Sequence, residues 1–181
     1  MLAIYAPYVE NTTYSFGYTH PTLDQFTQRF RKYTAQCPWL VWEEDGRVVG
    51  YAYGSLPFER AAYAWCAEVS IYIDPKFHGN GLGRKLYSCV EAILWQQGYR
   101  IIYALITSEN EGSLRFHEKV GYTYCAQFPG CGIKFGKSLG VIWMEKRSNS
   151  VELPIYSPVS WREIVKSDRN LLDVLASLPL S

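Results

Sequence analysis

Apolar positions along this chain recur at two spacings, and the switches between them mark out its elements. Residues 4–13 read as the end of a helix running into a polar loop, stopped by Asn11, Thr12 and Thr13. Thr22 opens a second helix through about Thr34: Thr22 caps it, Gln25 closes a capping box, and Phe26 and Phe30 share a face. Two apolar runs, 38–42 and 47–53, flank Asp45-Gly46 and predict a β-hairpin. Residues 63–73 read as a long, bulged strand whose last part alternates. Val69, Ile71 and Ile73 fall on one face, and Glu68, Ser70 and Tyr72 on the other. Asp74-Pro75 ends it.

After a glycine-rich segment, Leu86, Val90, Ile93 and Leu94 form the apolar stripe of a helix that runs to Gln97, with Gly98 at C′. Residues 101–106 are apolar without a break, so they predict a central strand. Residues 111–120 predict a short helix closed by Gly121, and two more strands lie within 122–128 and 139–146. The order strand, glycine loop, helix, strand is a right-handed crossover, which makes those two strands parallel. The fold class is therefore α/β with a mixed sheet.

The main domain is read as residues 1–147, with a C-terminal extension over 148–181 that is helical from about residue 160. Ser160-Trp161-Arg162-Glu163 has capping-box spacing, and Leu171, Leu172, Leu175 and Leu178 continue at near-helical spacing. That apolar face must dock on the domain or on a second subunit.

Composition narrows the class of partner. With 48% hydrophobic and 19% charged residues over 181 positions, the chain is globular, and one domain of this size buries roughly 70% of its unfolded surface. The net charge of +1 and the lack of a basic stripe argue against nucleic acid. Neither a long apolar run nor a basic leader is visible, so the expected location is cytoplasmic, away from membranes. The five cysteines, Cys37, Cys66, Cys89, Cys125 and Cys131, are scattered without a CxxC and read as free thiols, with no metal site. Aromatic residues make up 16% of the chain and suggest an aromatic cleft, a subunit interface or core filling.

The chemistry is carried by Pro75-Lys76-Phe77-His78-Gly79-Asn80-Gly81-Leu82-Gly83-Arg84, set between a strand and a helix. Alternating glycines let the backbone turn sharply and present amide N–H groups to an anion, and the helix start adds positive potential. A phosphate or pyrophosphate is the expected guest. A Walker loop needs GxxxxGK followed by Ser or Thr, which is not present. A GxGxxG fingerprint needs glycine at 84 or 86, where Arg84 and Leu86 stand.

His78-x-x-Gly81-x-Gly83 resembles the Gln/Arg-x-x-Gly-x-Gly/Ala pyrophosphate loop of the GNAT superfamily of acetyl-CoA-dependent N-acetyltransferases, with His78 in place of Gln or Arg. Asn110-x-x-Ser113-x-x-Phe116-His117-x-x-x-Gly121-Tyr122 resembles that superfamily's second motif. Segments 8–13, 38–41, 62–68, 117–122 and 132–136 are similar to one branch, the phosphinothricin and methionine sulfoximine/sulfone N-acetyltransferases, and the similarity covers about residues 4–147. The chain departs from the branch in lacking its first strand, since Met1 falls inside the equivalent first helix. It also has Ser138 and Gly140 where an aromatic and an Asp are usual.

The resemblance implies acetyl-CoA as cosubstrate, no metal, a small amine acceptor and a homodimer. Acetyl transfer needs a neutral amine, a base, oxyanion stabilisation and an acid for the thiolate. Glu68 is the candidate base and His117 the candidate acid. The implied CoA contacts are Ile71, Tyr72 and Ile73, the loop residues His78, Gly79, Asn80, Gly81, Leu82, Gly83 and Arg84, and Asn110, with Tyr87 near the thiol. Phe16, Arg60 and Tyr63 match acceptor-side positions, Arg60 as a carboxylate holder; Lys134 and Tyr8 extend that set. The implied reaction is acetylation of the amino group of a small amino acid or analogue. Polyamines, aminoglycosides and protein N-termini are alternative acceptors, and a catalytically weak CoA-binding sensor is the alternative of a different class.

Overall fold

A computed structural model of the protein describes residues 1–149 and 156–168. Helices α1 (Leu2–Asn11) and α2 (Leu23–Thr34) precede the sheet. The hairpin β1 (Trp39–Glu44) and β2 (Arg47–Ser55) turns on Asp45 and Gly46, both at positive φ, as an Asp-Gly turn between twisted strands requires. Then come β3 (Cys66–Ile73), α3 (Leu82–Gln97), β4 (Ile101–Thr107), α4 (Glu111–Lys119), β5 (Thr123–Lys134) and β6 (Lys137–Arg147), and a short α5 (Trp161–Ser167). The sheet order is β1-β2-β3-β4-β6-β5, and among the described residues only β3 and β4 run parallel. Among the described residues α1 is the first element.

Local signals explain most boundaries. Thr22 and Gln25 form the expected reciprocal capping box on α2, and Gly98 ends α3 in the left-handed conformation at φ 99°. Three expectations need correction. Residues 61–63 form a 3₁₀ turn, so β3 begins at Cys66 rather than Tyr63. Strand β5 runs past Phe128 to Lys134, because a second tight turn with Phe135 and Gly136 at positive φ folds it onto β6. The Ser160 side chain accepts from Arg162 N–H, one residue short of a capping-box bond. The leucines at 171–178 lie outside the described residues.

Two cores flank the sheet. On one face Ala67, Val69, Ile102, Ala104 and Met144 pack against Leu86, Tyr87, Val90 and Leu94 of α3. On the other, α1 and α2 cover an aromatic stack in which Trp39 and Tyr53 lie 4.1 Å apart and nearly parallel, with Tyr51, Tyr5, Phe26 and Tyr72 around them. Much of the aromatic excess is thus core filling. Trp161 and Ile164 of α5 pack on Cys89 and Ile93, and Trp161 Nε1 donates to Thr34 O at 2.9 Å, so α5 docks on the chain's own domain. All five cysteines are free.

Candidate active site

Strands β3 and β4 pair only over Cys66↔Ile101, Ala67↔Ile102 and Glu68↔Tyr103. Beyond Glu68, β3 stays with β2 as far as Ile73↔Gly50 and β4 stays with β6 as far as Thr107↔Val141, so the parallel pair forks. The resulting cleft has residues 69–72 on one wall and residues 104–107 on the other, and Tyr8, Asn110, Ser113 and His117 also line it. Backbone groups on the facing edges lose ladder partners there and are available to an extended ligand. Thr107 Oγ1 is buried in the cleft wall without a partner.

The glycine loop leaves directly from the end of β3. Asp74 caps the Pro75–Phe77 turn by accepting from Lys76 N–H and pairs with Arg47 at 2.7 Å. Gly79 and Gly81 have φ of +83° and +82°, a region closed to most side chains, and Gly81 is the N-cap of α3. Asn80 Oδ1 accepts from Leu82 N–H at 3.1 Å, and the first helical bond runs from Lys85 N–H to Gly81 O. A Cβ on Gly83 would lie 3.0 Å from Ile73 Cδ1, so glycine there lets the helix start press onto the strand. An open turn of amides at a helix N-terminus, placed at the end of a forked strand, fits a pyrophosphate with an extended arm in the fork.

His78 leads this loop, yet its ring turns back. Its Nε2 lies 3.1 Å from Ile73 O and 3.0 Å from Tyr8 Oη, while Tyr8 Oη donates to Ile73 O at 2.6 Å. His78 therefore ties the loop to α1. Tyr8, read from sequence as an acceptor-side residue, both lines the cleft and secures its end.

His117 sits in a box of aromatic rings, edge-on to Tyr87, Phe116 and Tyr122 at 5.2–5.3 Å between centroids. Its Nδ1 lies 2.8 Å from Ser113 O, so Nδ1 carries a hydrogen and Nε2 keeps a lone pair. That Nε2 is buried without a partner. Burial holds the imidazole below its usual pKa, offset in part by the bond to Ser113. The resting ring is neutral and ready to accept a proton. Asn110 uses Oδ1 to cap α4 through Ser113 N–H at 3.1 Å and reaches the cleft beside it.

Glu68 occupies the fork itself, the last β3 residue paired to β4. Burial pushes its carboxyl up to about 7, and no ion pair compensates it among the described residues. Its neighbours Ala67 and Val69 pack against α3, so strand alternation turns the Glu68 side chain toward the face covered by α1 and α2. A carboxylate poised near neutrality is suited to take a proton from an ammonium.

The acceptor-side expectations are scattered. Phe16 lies over Gly132 of β5, where a Cβ would come within 2.4 Å of its ring. Arg60 is exposed and starts the 61–63 turn, and Tyr63 is half exposed beside Phe58, 4.7 Å between rings. Lys134 is buried, with Nζ donating to Val9 O and Ser15 O at 2.6 Å each. Tyr87 is fully buried in the α3 core. The cleft brings together Ile71, Tyr72, Asn110 and His117, and adds Ser70 and Thr107, which sequence reasoning passed over. A polar residue closing the apolar run 101–106 was the available signal for Thr107.

Among known proteins, residues 6–122 match the model of the acetyltransferase (GNAT) family. A phosphinothricin N-acetyltransferase of Streptomyces viridochromogenes is 32% identical over 71% of this chain and 70% of its own length. An L-methionine sulfoximine/L-methionine sulfone acetyltransferase of Salmonella typhimurium is 38% identical over 60% of this chain and 63% of its own. A phosphinothricin acetyltransferase of Sinorhizobium meliloti, solved in complex with acetyl-CoA, superposes with a TM-score of 0.81 at 27% identity, covering 86% of this chain and 87% of that one.

Proposed function

This chain belongs to the acetyltransferase (GNAT) family, and on that premise we propose that it acetylates the α-amino group of a small amino acid or amino-acid analogue of the phosphinothricin or methionine sulfone type. It is an acetyl-CoA-dependent N-acetyltransferase. The fork between β3 and β4, opening at Glu68 with the glycine loop at its far end, is the observation that carries this reading.

Acetyl-CoA supplies an acyl group already activated as a thioester. The free β3 edge at residues 70–72 would hold the pantetheine arm and orient the carbonyl, and the amides around Gly79–Gly83 would take the pyrophosphate. Glu68 takes a proton from the acceptor's ammonium, leaving a nucleophilic amine. His117, neutral at rest, takes at Nε2 the second proton, which the attacking nitrogen sheds as the C–N bond forms, and passes it to the departing sulfur as the C–S bond breaks. In that way a ring kept uncharged by burial still serves as the acid.

The same reading places the protein in the cytoplasm, consistent with five free thiols and with no helix among the described residues long and apolar enough to cross a membrane. It also takes the enzyme to be a homodimer. Support comes from an exposed aromatic face where Phe58 lies against both Tyr63 and Trp143, and where Tyr124 and Phe128 stand half exposed. Sedimentation velocity at micromolar protein checks this, a monomer speaking against it.

The deciding assay is CoA-thiol release across amino acids, L-methionine sulfone, phosphinothricin, polyamines and aminoglycosides, beside direct acetyl-CoA binding. Turnover confined to the amino-acid group is expected. Turnover only with polyamines or aminoglycosides would replace the acceptor, and tight binding with no turnover would favour a sensor.

A further inference from the structure

His78 heads the glycine loop, and its ring is held by the far nitrogen. Nε2 lies 3.0 Å from Tyr8 Oη and 3.1 Å from Ile73 O. A carbonyl oxygen can only accept. Tyr8 has one hydroxyl hydrogen and gives it to Ile73 O at 2.6 Å, so toward His78 the phenol oxygen can only accept as well. Both neighbours of Nε2 therefore need a donor. That assigns the hydrogen to Nε2 and leaves the lone pair of the neutral ring on Nδ1. His117 is the reverse case, with its hydrogen on Nδ1.

This tautomer lets His78 gain a proton at one atom only, and the ring keeps its anchor when it does. Protonation at Nδ1 leaves Nε2–H in place, so the bonds to Tyr8 and Ile73 hold in both charge states. Nδ1 is bonded to Cγ and stays beside the exposed His78 backbone, where the loop begins. Charged and titratable groups reach this corner from each element that meets there: Tyr8 from α1, Tyr14 from the loop after it, Asp74 at the end of β3, Lys76 in the turn and Arg84 in the first turn of α3. Asp74 is engaged by Arg47 of β2 at 2.7 Å. Of these residue types only histidine ordinarily titrates between about pH 5 and 8.

A diphosphate at Gly79–Gly83 sets two negative charges directly after His78 in the chain. The loop amides meet it as dipoles, without a full positive charge. We propose that His78 is the ionisable counter-charge of the CoA diphosphate, taking a proton from solvent at Nδ1 as acetyl-CoA binds, so that binding and protonation favour one another. This rests on the reading above that the loop holds the diphosphate. The anchored Nε2 gives the ring a fixed place at the loop head, and the charge it gains there is spent on the ligand rather than on a protein carboxylate.

Titration calorimetry tests it, with acetyl-CoA binding measured from about pH 6 to 8.5 in two buffers of different ionisation enthalpy. The proteins are wild type, His78→Gln and His78→Arg. The Kd of wild type is expected to rise with pH about tenfold more than that of His78→Gln, the least that an opposite charge within a few ångströms produces. The variants supply the baseline, because the 3′-phosphate of CoA itself titrates at about pH 6, as phosphomonoesters do. At the steepest point of the rise, wild type should take up about half a proton more per acetyl-CoA than either variant. His78→Arg, charged throughout, should follow the pH profile of the glutamine variant at a lower Kd, and it covers the case in which glutamine binds too weakly to measure. If each variant differs from wild type by one factor at every pH, with equal proton uptake, His78 is only a latch and this inference alone is overturned. A wild-type protein that does not bind acetyl-CoA overturns the CoA reading and this inference with it.

Discussion

Tyr8 and His78, 70 residues apart in the chain, meet on a single backbone oxygen: Tyr8 Oη donates to Ile73 O at 2.6 Å, and His78 Nε2 stands 3.1 Å from the same atom. This links α1, the end of β3 and the head of the glycine loop at the point where the CoA phosphates are expected. Tyr8→Phe keeps the edge-on packing against Tyr72 and removes only the hydroxyl. Loss of roughly 1 kcal/mol of loop ordering should raise the Kd for acetyl-CoA about fivefold and leave kcat within twofold. Titration calorimetry with acetyl-CoA reads it, and an unchanged Kd would show that the loop is held by its own turns.

Glu68→Gln should lower kcat by about 10²–10⁴-fold, the usual range for a lost general base, with acetyl-CoA affinity preserved. Because burial holds the carboxyl at about 7, wild-type kcat/KM should rise through that pH and level off above it. The glutamine variant should lose the rising limb. A limb that survives in Glu68→Gln would assign it to another group.

The same carboxyl makes a prediction about stability. Its folded pKa of about 7 lies above the ordinary glutamate value of 4.5, so the folded state holds more protons than the unfolded state between those two pH values. Stability should therefore fall as pH rises from about 4.5 to 7 and stay flat beyond, the ionised form being the disfavoured one. Glu68→Gln removes that penalty, which is at most about 3 kcal/mol. The variant should melt higher than wild type at pH 8 and equally at pH 4.5, as thermal unfolding at the two pH values would reveal.

His117→Phe keeps a ring in the box formed by Tyr87, Phe116 and Tyr122 while deleting Nε2. If that nitrogen passes the proton to sulfur, kcat should fall about 10²-fold with the melting temperature nearly unchanged. Solvent isotope effects on kcat should shrink along with it. A fall in stability with turnover preserved would mark the imidazole as packing alone.

What could be read from sequence followed how local its cause is. The capping box at Thr22, the Asp45-Gly46 hairpin and the Gly98 stop are settled by a few adjacent residues, and they stand as expected. The glycine loop was visible for the same reason, since positive φ at Gly79 and Gly81 leaves a mark in residue type. The end of β5 was not visible, because its pairing past Phe128 depends on a turn at residues 135–136 and on β6 across the hairpin. His78 and Lys134, expected toward CoA and toward the acceptor, also have partners within the protein. Each finds its partners in α1 or the loop after it, which no spacing rule connects to residues 78 or 134.

Lys134 allows the last test, because its ammonium is engaged with protein atoms alone. It reaches from the end of β5 to Val9 O, in the last turn of α1, and to Ser15 O in the loop that carries Phe16. Lys134→Met fills similar volume but leaves two carbonyls without a donor, and charged hydrogen bonds to buried carbonyls are worth about 1.5–3 kcal/mol each. Since the lost lysine also sheds a desolvation penalty, the net loss should be about 2–4 kcal/mol, or roughly 4–16 °C in Tm for a chain of this size. The loop would loosen with it, and Phe16, which lies over Gly132, would lose its fixed position. The acceptor's KM should therefore rise several-fold while acetyl-CoA affinity stays as it was. Thermal unfolding together with KM for each substrate separates this from a direct acceptor contact. Were Lys134 a substrate ligand, KM would rise with the melting temperature unchanged.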